Sequence, residues 1–112
     1  MTQITGRMPS EDREKFGDYS AKVGLDGSSV ATLLVLRELQ LRRLHDLRAR
    51  LGIPNNFTEK KITSHRVTEE QKTTFTKHAK DIGLSNSKAL GLLCRAELIE
   101  QWVFGRLWSD SD

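Results

Sequence analysis

The chain has little of several residue types that characterise particular classes of protein. It contains one cysteine, Cys94, among 112 residues, which excludes an intrachain disulfide and favours a reducing compartment. Its longest apolar run, from Val30 to Leu36, contains Thr32 and is far shorter than the roughly 20 residues of a membrane span. The first residues lack the charged-then-apolar pattern of a signal peptide. These absences predict a cytoplasmic protein without a membrane segment.

Residues that could form a catalytic or metal centre are also scarce. The histidines His45, His65 and His78 have no ligand-like spacing with one another or with Cys94, so we predict no metal site. The sequence has no nucleophile–base arrangement and no glycine-rich phosphate loop. Its paired acidic residues lie at helix starts, where they suit the helix dipole. We therefore expect neither an enzyme nor a bound cofactor.

The charge balance is only mildly basic, with 18 Lys and Arg against 15 Asp and Glu and a pI near 9.2. This excess is too small to indicate nucleic-acid binding by itself. The positions of the cations along the chain therefore matter more than their number.

The most informative pattern is an internal repeat with an offset of 59 residues. Residues 7–39, aligned without gaps on residues 66–98, give 10 identities in 33 positions, where chance would leave roughly two. The turn at Gly24-Leu25 matches the turn at Gly83-Leu84. A unit of about 45 residues buries too little surface to be stable alone. The repeat therefore predicts two units that share one core.

Each unit has the same order of secondary-structure signals. A short stretch rich in Thr and β-branched residues is followed by a helix-start signal, Ser10 in one unit and the capping box Thr68–Gln71 in the other. A polar helix, a glycine turn and a longer apolar helix follow, the apolar helices at about 29–51 and 88–108. The predicted fold is mainly α-helical with a two-stranded antiparallel β-ribbon, one strand from each unit. The predicted boundaries are a first unit at 1–51, a linker at 52–58, a second unit at 59–108 and a tail at 109–112.

Two segments carry a family resemblance. Gly83-Leu84-Ser85-Asn86-Ser87-Lys88-Ala89-Leu90 is a turn followed by a helix start, and in Gln3-Ile4-Thr5-Gly6-Arg7-Met8-Pro9 alternate polar residues end in Arg before a hydrophobe and Pro. These segments and their order resemble the ribbon-helix-helix family of DNA-binding proteins, which includes the Arc-type repressors. The resemblance implies a tandem pseudo-dimer in one chain that inserts a β-ribbon into the major groove of double-stranded DNA. It also implies a monomer in solution and allows several copies on one DNA.

In this family alternate strand residues face the base edges, and the gap-free alignment assigns that role to six residues. They are Gln3, Thr5 and Arg7 from the first strand and Ile62, Ser64 and Arg66 from the second. Arg suits guanine, Gln suits adenine, and Thr or Ser suits several bases. A slip of one residue in the second strand is the alternative, and it would turn Lys61, Thr63 and His65 to the groove.

The resemblance also implies phosphate contacts at the start of each second helix, through backbone N–H groups and hydroxyl groups. The residues at these positions are Gly27 and Ser28 in the first unit, and Ser85, Asn86, Ser87 and Lys88 in the second. We also predict that Ser28 and Ser87 cap these helices. The neighbouring Asp26 opposes a phosphate contact in the first unit.

The tandem form resembles the relaxosome accessory proteins of conjugative plasmids, which bind near the transfer origin and assist a relaxase. The implied partners are double-stranded DNA and a relaxase or other transfer protein, with no membrane. A transcriptional repressor or an antitoxin-like autoregulator is the alternative within DNA binding. A protein-interaction module that uses the helix end at Trp102 and Trp108 is the alternative from another class. The simpler prediction is that these tryptophans cover the end of the helix bundle.

Overall fold

The computed structural model describes residues 2–53 and 58–108, and over these residues it contains two strands and six helices. They are β1 (Thr2–Met8), α1 (Ser10–Val23), α2 (Gly27–Leu41), α3 (Leu44–Leu51), β2 (Lys60–Val67), α4 (Glu69–Asp81), α5 (Asn86–Glu100) and α6 (Trp102–Trp108). The predicted class, mainly α-helical with a two-stranded antiparallel sheet, is confirmed. The predicted tail and most of the predicted linker lie outside the described residues.

The two strands form a ribbon that covers one side of the helices. They pair antiparallel with Thr5 opposite Thr63, and β1 packs mainly on α5 while β2 packs mainly on α2. Ile4 and Ile62 point from the ribbon into the core and are almost fully buried. The core continues between the helices, where it contains the Cys94 side chain. The burial of Cys94 raises the pKa of its thiol.

Local signals explain several of the helix ends. The capping box that begins α4 is confirmed: the N–H of Gln71 donates to Oγ1 of Thr68 at 3.0 Å, and the N–H of Thr68 donates to Oε1 of Gln71 at 2.9 Å. Gly24, with φ of 88°, ends α1 in the left-handed conformation that glycine adopts without strain. Ser10 was predicted to cap α1, but it is the first helical residue, and its N–H donates to Oε1 of Glu59 at 2.8 Å.

The two long apolar helices predicted at about 29–51 and 88–108 are each divided in two. Arg42 and Gln101 adopt left-handed φ values of 54° and 52°, which interrupt the helices after Leu41 and Glu100. In each helix a buried carboxylate one turn earlier accepts hydrogen bonds from the backbone just beyond the break. Glu38 accepts the N–H groups of Arg43 and Leu44 at 2.9 and 2.8 Å, and Glu97 accepts the N–H of Val103 at 2.7 Å. Each carboxylate thus caps the start of a new helix.

Gly6 allows β1 to lie very close to α5. A Cβ atom at Gly6 would be 2.7 Å from Cβ of Leu90 and 3.1 Å from the backbone nitrogen of Gly91. Neither atom is the end of a flexible side chain, so the strand and the helix would have to move apart to accept it.

We expect Gly6→Ala to lower the free energy of unfolding by about 1–3 kcal/mol, because it overpacks this contact. Urea denaturation followed by tryptophan fluorescence measures the effect. Gly17→Ala in α1 is the matched control, since its Cβ would meet only Nη1 of Arg13 at 3.6 Å and Ala favours a helix. A loss of stability in both variants, or in neither, would contradict the close packing of β1 on α5.

Candidate nucleic-acid interface

The outer face of the ribbon, the face turned away from the helices, is polar. This face carries the exposed or half-exposed side chains of β1, namely Gln3, Thr5 and Arg7. Ile4, which lies between Gln3 and Thr5, and Met8, which follows Arg7, are buried. The predicted orientation of β1 is therefore confirmed. Contact of these three side chains with DNA stays a prediction.

In β2 the predicted orientation is wrong by one residue. Ile62 is 4% exposed and Ser64 is fully buried, so neither reaches the outer face. Residues that are directly opposite in an antiparallel pair point to the same side, and these two lie opposite Gly6 and Ile4, which are also buried. The outer side chains of β2 are those of the slipped register, namely Lys61, Thr63 and His65.

A β-bulge explains the change of register. Thr2 pairs with Val67 and Ile4 pairs with Ser64, so Gln3 alone lies opposite two residues, His65 and Arg66. Arg66, one of these two residues, has a φ of 65°, so its backbone departs from the extended conformation of the strand. The second strand therefore carries one extra residue, and this residue returns Val67 to the core.

The sequence contains a signal for this bulge that the gap-free alignment hides. Ile4-Thr5-Gly6 matches Ile62-Thr63-Ser64 at an offset of 58, whereas the helices match at an offset of 59. A one-residue insertion after Ser64 aligns both the strands and the helices. Since side chains alternate along a strand, a shift of one residue exchanges the inner and outer sets.

Side chains of α2 hold the outer edge of β2. The hydroxyl of Ser28 donates to the carbonyl of Thr63 at 2.5 Å, and the hydroxyl of Thr32 lies 2.8 Å from the carbonyl of His65. Oγ1 of Thr32 is also 2.9 Å from Oγ of Ser64. Ser28 and Ser64, two of the predicted DNA contacts, thus have structural hydrogen bonds that fix the position of the strand.

The starts of α2 and α5 differ from the prediction and from each other. The caps are Asp26 and Ser85, two residues before the predicted Ser28 and Ser87: Oδ1 of Asp26 accepts the N–H of Ser29 at 2.7 Å, and Oγ of Ser85 accepts the N–H of Lys88 at 3.2 Å. The hydrogen bonds from Ser29 lower the pKa of the Asp26 carboxyl group. A carboxylate therefore caps α2, and a neutral hydroxyl caps α5.

The remaining predicted phosphate ligands lie around these caps. Gly27 is half-buried, and a Cβ there would be 3.1 Å from Cδ1 of Ile62. Asn86 is half-buried and its amide donates to Oγ1 of Thr76 at 2.8 Å. Ser87 is half-buried, and Lys88 is exposed. The α5 start thus has an exposed cation and a neutral cap.

Cations surround both ends of the ribbon. At one end Arg7 lies opposite Lys61, and Nε of Arg13 donates to the carbonyl of Lys61 at 3.2 Å. At the other end the exposed His65 and Arg66 lie near Asp26 and contribute to the low pKa of its carboxyl group. Arg66, which was predicted to contact bases, therefore lies beside the start of α2.

The alternative binding surface expected from the sequence lies on α6. Leu107 and Trp108 are 54% and 60% exposed, so α6 leaves an apolar surface at its C-terminal end. The indole N–H of Trp108 donates to the carbonyl of Val23 at 3.3 Å. Trp102 is half-buried, with the guanidinium of Arg37 placed 4.3 Å from its ring centroid.

Within residues 2–53 and 58–108 no group of three or more His, Cys, Asp or Glu is arranged to hold a metal ion. None of the helices in these ranges is long and apolar enough to cross a membrane. No protein-family model matches the chain, and comparisons with curated proteins and with solved structures gave no match. The functional argument therefore depends on the residues of this chain and their geometry.

Proposed function

We propose that the chain is a double-stranded DNA-binding protein that places the outer face of its ribbon in the major groove. One observation carries this proposal: neither strand contains an acidic residue, and every side chain of the outer face can form hydrogen bonds. The outer set is Gln3, Thr5, Arg7, Lys61, Thr63 and His65. A two-stranded ribbon fits the major groove, where each base pair presents a distinct pattern of donors and acceptors.

The dimensions of the ribbon determine how it would enter the groove. Strands of 7 and 8 residues are about 23–27 Å long, which is longer than the roughly 12 Å width of the major groove. The strands must therefore run along the groove and not across it. In that orientation neighbouring outer side chains of one strand, about 6.7 Å apart, face positions about two base pairs apart, and the helices remain outside the groove.

We further propose that the two units form a pseudo-dimer within the chain, and the polar contacts of the core support this. Glu38 and Glu97 are 59 residues apart, as are the residues that bond them, Tyr19 and His78. Each contact crosses between the units: Nε2 of His78 is 2.7 Å from Oε2 of Glu38, and the hydroxyl of Tyr19 donates to Glu97. Such reciprocal contacts are those of a twofold interface.

Phosphate contacts would fix the ribbon in the groove. The start of α5 provides backbone N–H groups, the Ser85 cap and the exposed Lys88, a combination that suits an anion. At the start of α2 the negative charge of Asp26 opposes an anion, and Arg66 beside it provides positive charge. We propose that the phosphate ligands are Lys88 and the N–H groups of α5 on one side, and Arg66 on the other.

A salt titration tests whether the protein binds DNA through such contacts. The two proposed phosphate ligands Arg66 and Lys88 should by themselves make the logarithm of the binding constant fall with the logarithm of salt concentration at a slope of about −2, and Arg7 and Lys61 in the groove should make it steeper. Fluorescence anisotropy with a labelled mixed-sequence duplex between about 50 and 200 mM salt measures this slope. No binding at the lowest salt, or a flat slope, would contradict the proposal.

The role in plasmid transfer remains a prediction that depends on the resemblance to relaxosome accessory proteins, as does a relaxase as partner. Selection of bound sites from a random DNA pool, followed by mapping of these sites on the parent replicon, distinguishes the roles. Sites at a transfer origin would support the accessory role, whereas sites at promoters would favour a repressor.

A further inference from the structure

The pairing of the strands arranges the outer side chains in three cross-strand rows. Arg7 lies opposite Lys61, Thr5 lies opposite Thr63, and Gln3 lies opposite the bulge that begins at His65. The middle row joins two identical residues, and the rows on either side of it differ in chemistry. The ribbon therefore has two unlike ends.

The two end rows present different hydrogen-bonding groups. Arg7 and Lys61 are cations that only donate, and guanine offers two acceptors, O6 and N7, in the major groove. Gln3 both donates and accepts, which matches N7 and the amino group of adenine. His65 beside it is a smaller group that accepts or donates according to its protonation. The row of two cations thus favours guanine, and the row of Gln3 favours adenine.

The bulge removes the cation that would otherwise make the ends alike. Arg66 would be the counterpart of Arg7 in the gap-free alignment. Because its backbone is left-handed, Arg66 does not follow the alternation of inner and outer side chains along the strand. Its charge acts on Asp26 at the start of α2. The end that carries Gln3 is therefore without a paired row of Arg and Lys.

We propose that the ribbon recognises an asymmetric duplex in one orientation, with guanine at the Arg7–Lys61 row and adenine at the Gln3 row. This inference rests on the proposed DNA-binding function. Residues 3 and 7 are about 13 Å apart along β1, so the two base positions are separated by about three to four base pairs. The middle threonines contact the base pairs between them.

Selection from a random DNA pool, carried out with the wild-type chain and with variants of each row, tests the inference. The wild-type chain should select a non-palindromic site. Lys61→Ala and Arg7→Ala should each reduce discrimination for guanine at one end by about tenfold or more, while the adenine preference at the other end remains. Gln3→Ala should reduce the preference for adenine at its end and leave the preference for guanine at the other end. Thr2→Ala is the control, because Thr2 lies outside the three rows.

The orientation is tested with a DNA-cleaving iron chelate attached through an introduced cysteine. Lys60→Cys places the chelate beside the Arg7–Lys61 row, and the native Cys94 is fully buried, so the wild-type chain is the unlabelled control. Cleavage of the selected site should lie at its guanine end only. Thermal melts of all variants check that the fold is retained.

Two contrary results have different meanings. A palindromic selected site, or equal cleavage at both ends, would overturn the inference of polarity and leave the proposed DNA binding intact. Absence of salt-dependent binding by the wild-type chain would overturn both.

Discussion

Reversing two charges on the outer face of the ribbon should nearly abolish DNA binding. We expect Arg7→Glu/Lys61→Glu to weaken binding to duplex DNA by at least about 100-fold at moderate salt, because two favourable base contacts are lost and two like charges enter the groove. Both side chains are exposed, so the fold should be retained. Fluorescence anisotropy measures the affinity, and circular dichroism measures the thermal unfolding of the same samples.

The matched control reverses two exposed cations of the helices, as Lys77→Glu/Arg106→Glu. It takes the net charge from +3 to −1, as the ribbon variant does, but it leaves both strands unchanged. We expect it to weaken binding far less, through the general change in charge alone. Equal losses in the two variants would mean that net charge, and not the ribbon, determines the affinity.

The second large effect concerns the stability of the fold. Glu38 is 2% exposed, accepts hydrogen bonds from the N–H groups of Arg43 and Leu44, and has its Oε2 at 2.7 Å from Nε2 of His78. Glu38→Ala leaves these buried donors unpaired and removes the cap of α3, so we expect the free energy of unfolding to fall by about 3–5 kcal/mol. Urea denaturation at constant pH measures the change.

Glu14→Ala is the control for this substitution, since Glu14 is an exposed residue of α1 and its loss should change stability by less than about 0.5 kcal/mol. Glu38→Gln keeps the shape of the side chain but places an amide N–H among donors, and its loss of stability should be intermediate. A small effect of Glu38→Ala would show that the helix break does not depend on the buried carboxylate.

The features that the sequence predicts well are those with local causes. The capping box at Thr68, the glycine turn at Gly24 and the alternation of β1 depend on residues within a few positions of one another. The repeat also predicts that strands far apart in the chain pair with each other, because a short strand needs a partner and each unit has only one.

The features that the sequence predicts poorly depend on tertiary contacts. A glutamate within an apolar helix gives no local sign that it will be buried and will cap the next segment, so the breaks at Arg42 and Gln101 are missed. The bulge at Arg66 is missed because a gap-free alignment of the helices also forces the strands into one register. As a result, the alignment assigns Ile62 and Ser64 to the candidate site, whereas in the structure they are buried and neighbouring residues of β2 face outward.

The proposed ribbon surface and the alternative surface on α6 lie on different elements, and a single measurement separates them. Titration of the isotopically labelled protein with duplex DNA, followed by NMR spectra of its backbone amides, identifies the residues that contact the duplex. We predict the largest chemical-shift changes in β1 and β2 and at the starts of α2 and α5, with little change in α6. Changes concentrated at Trp102–Trp108, with none in the strands, would contradict the account.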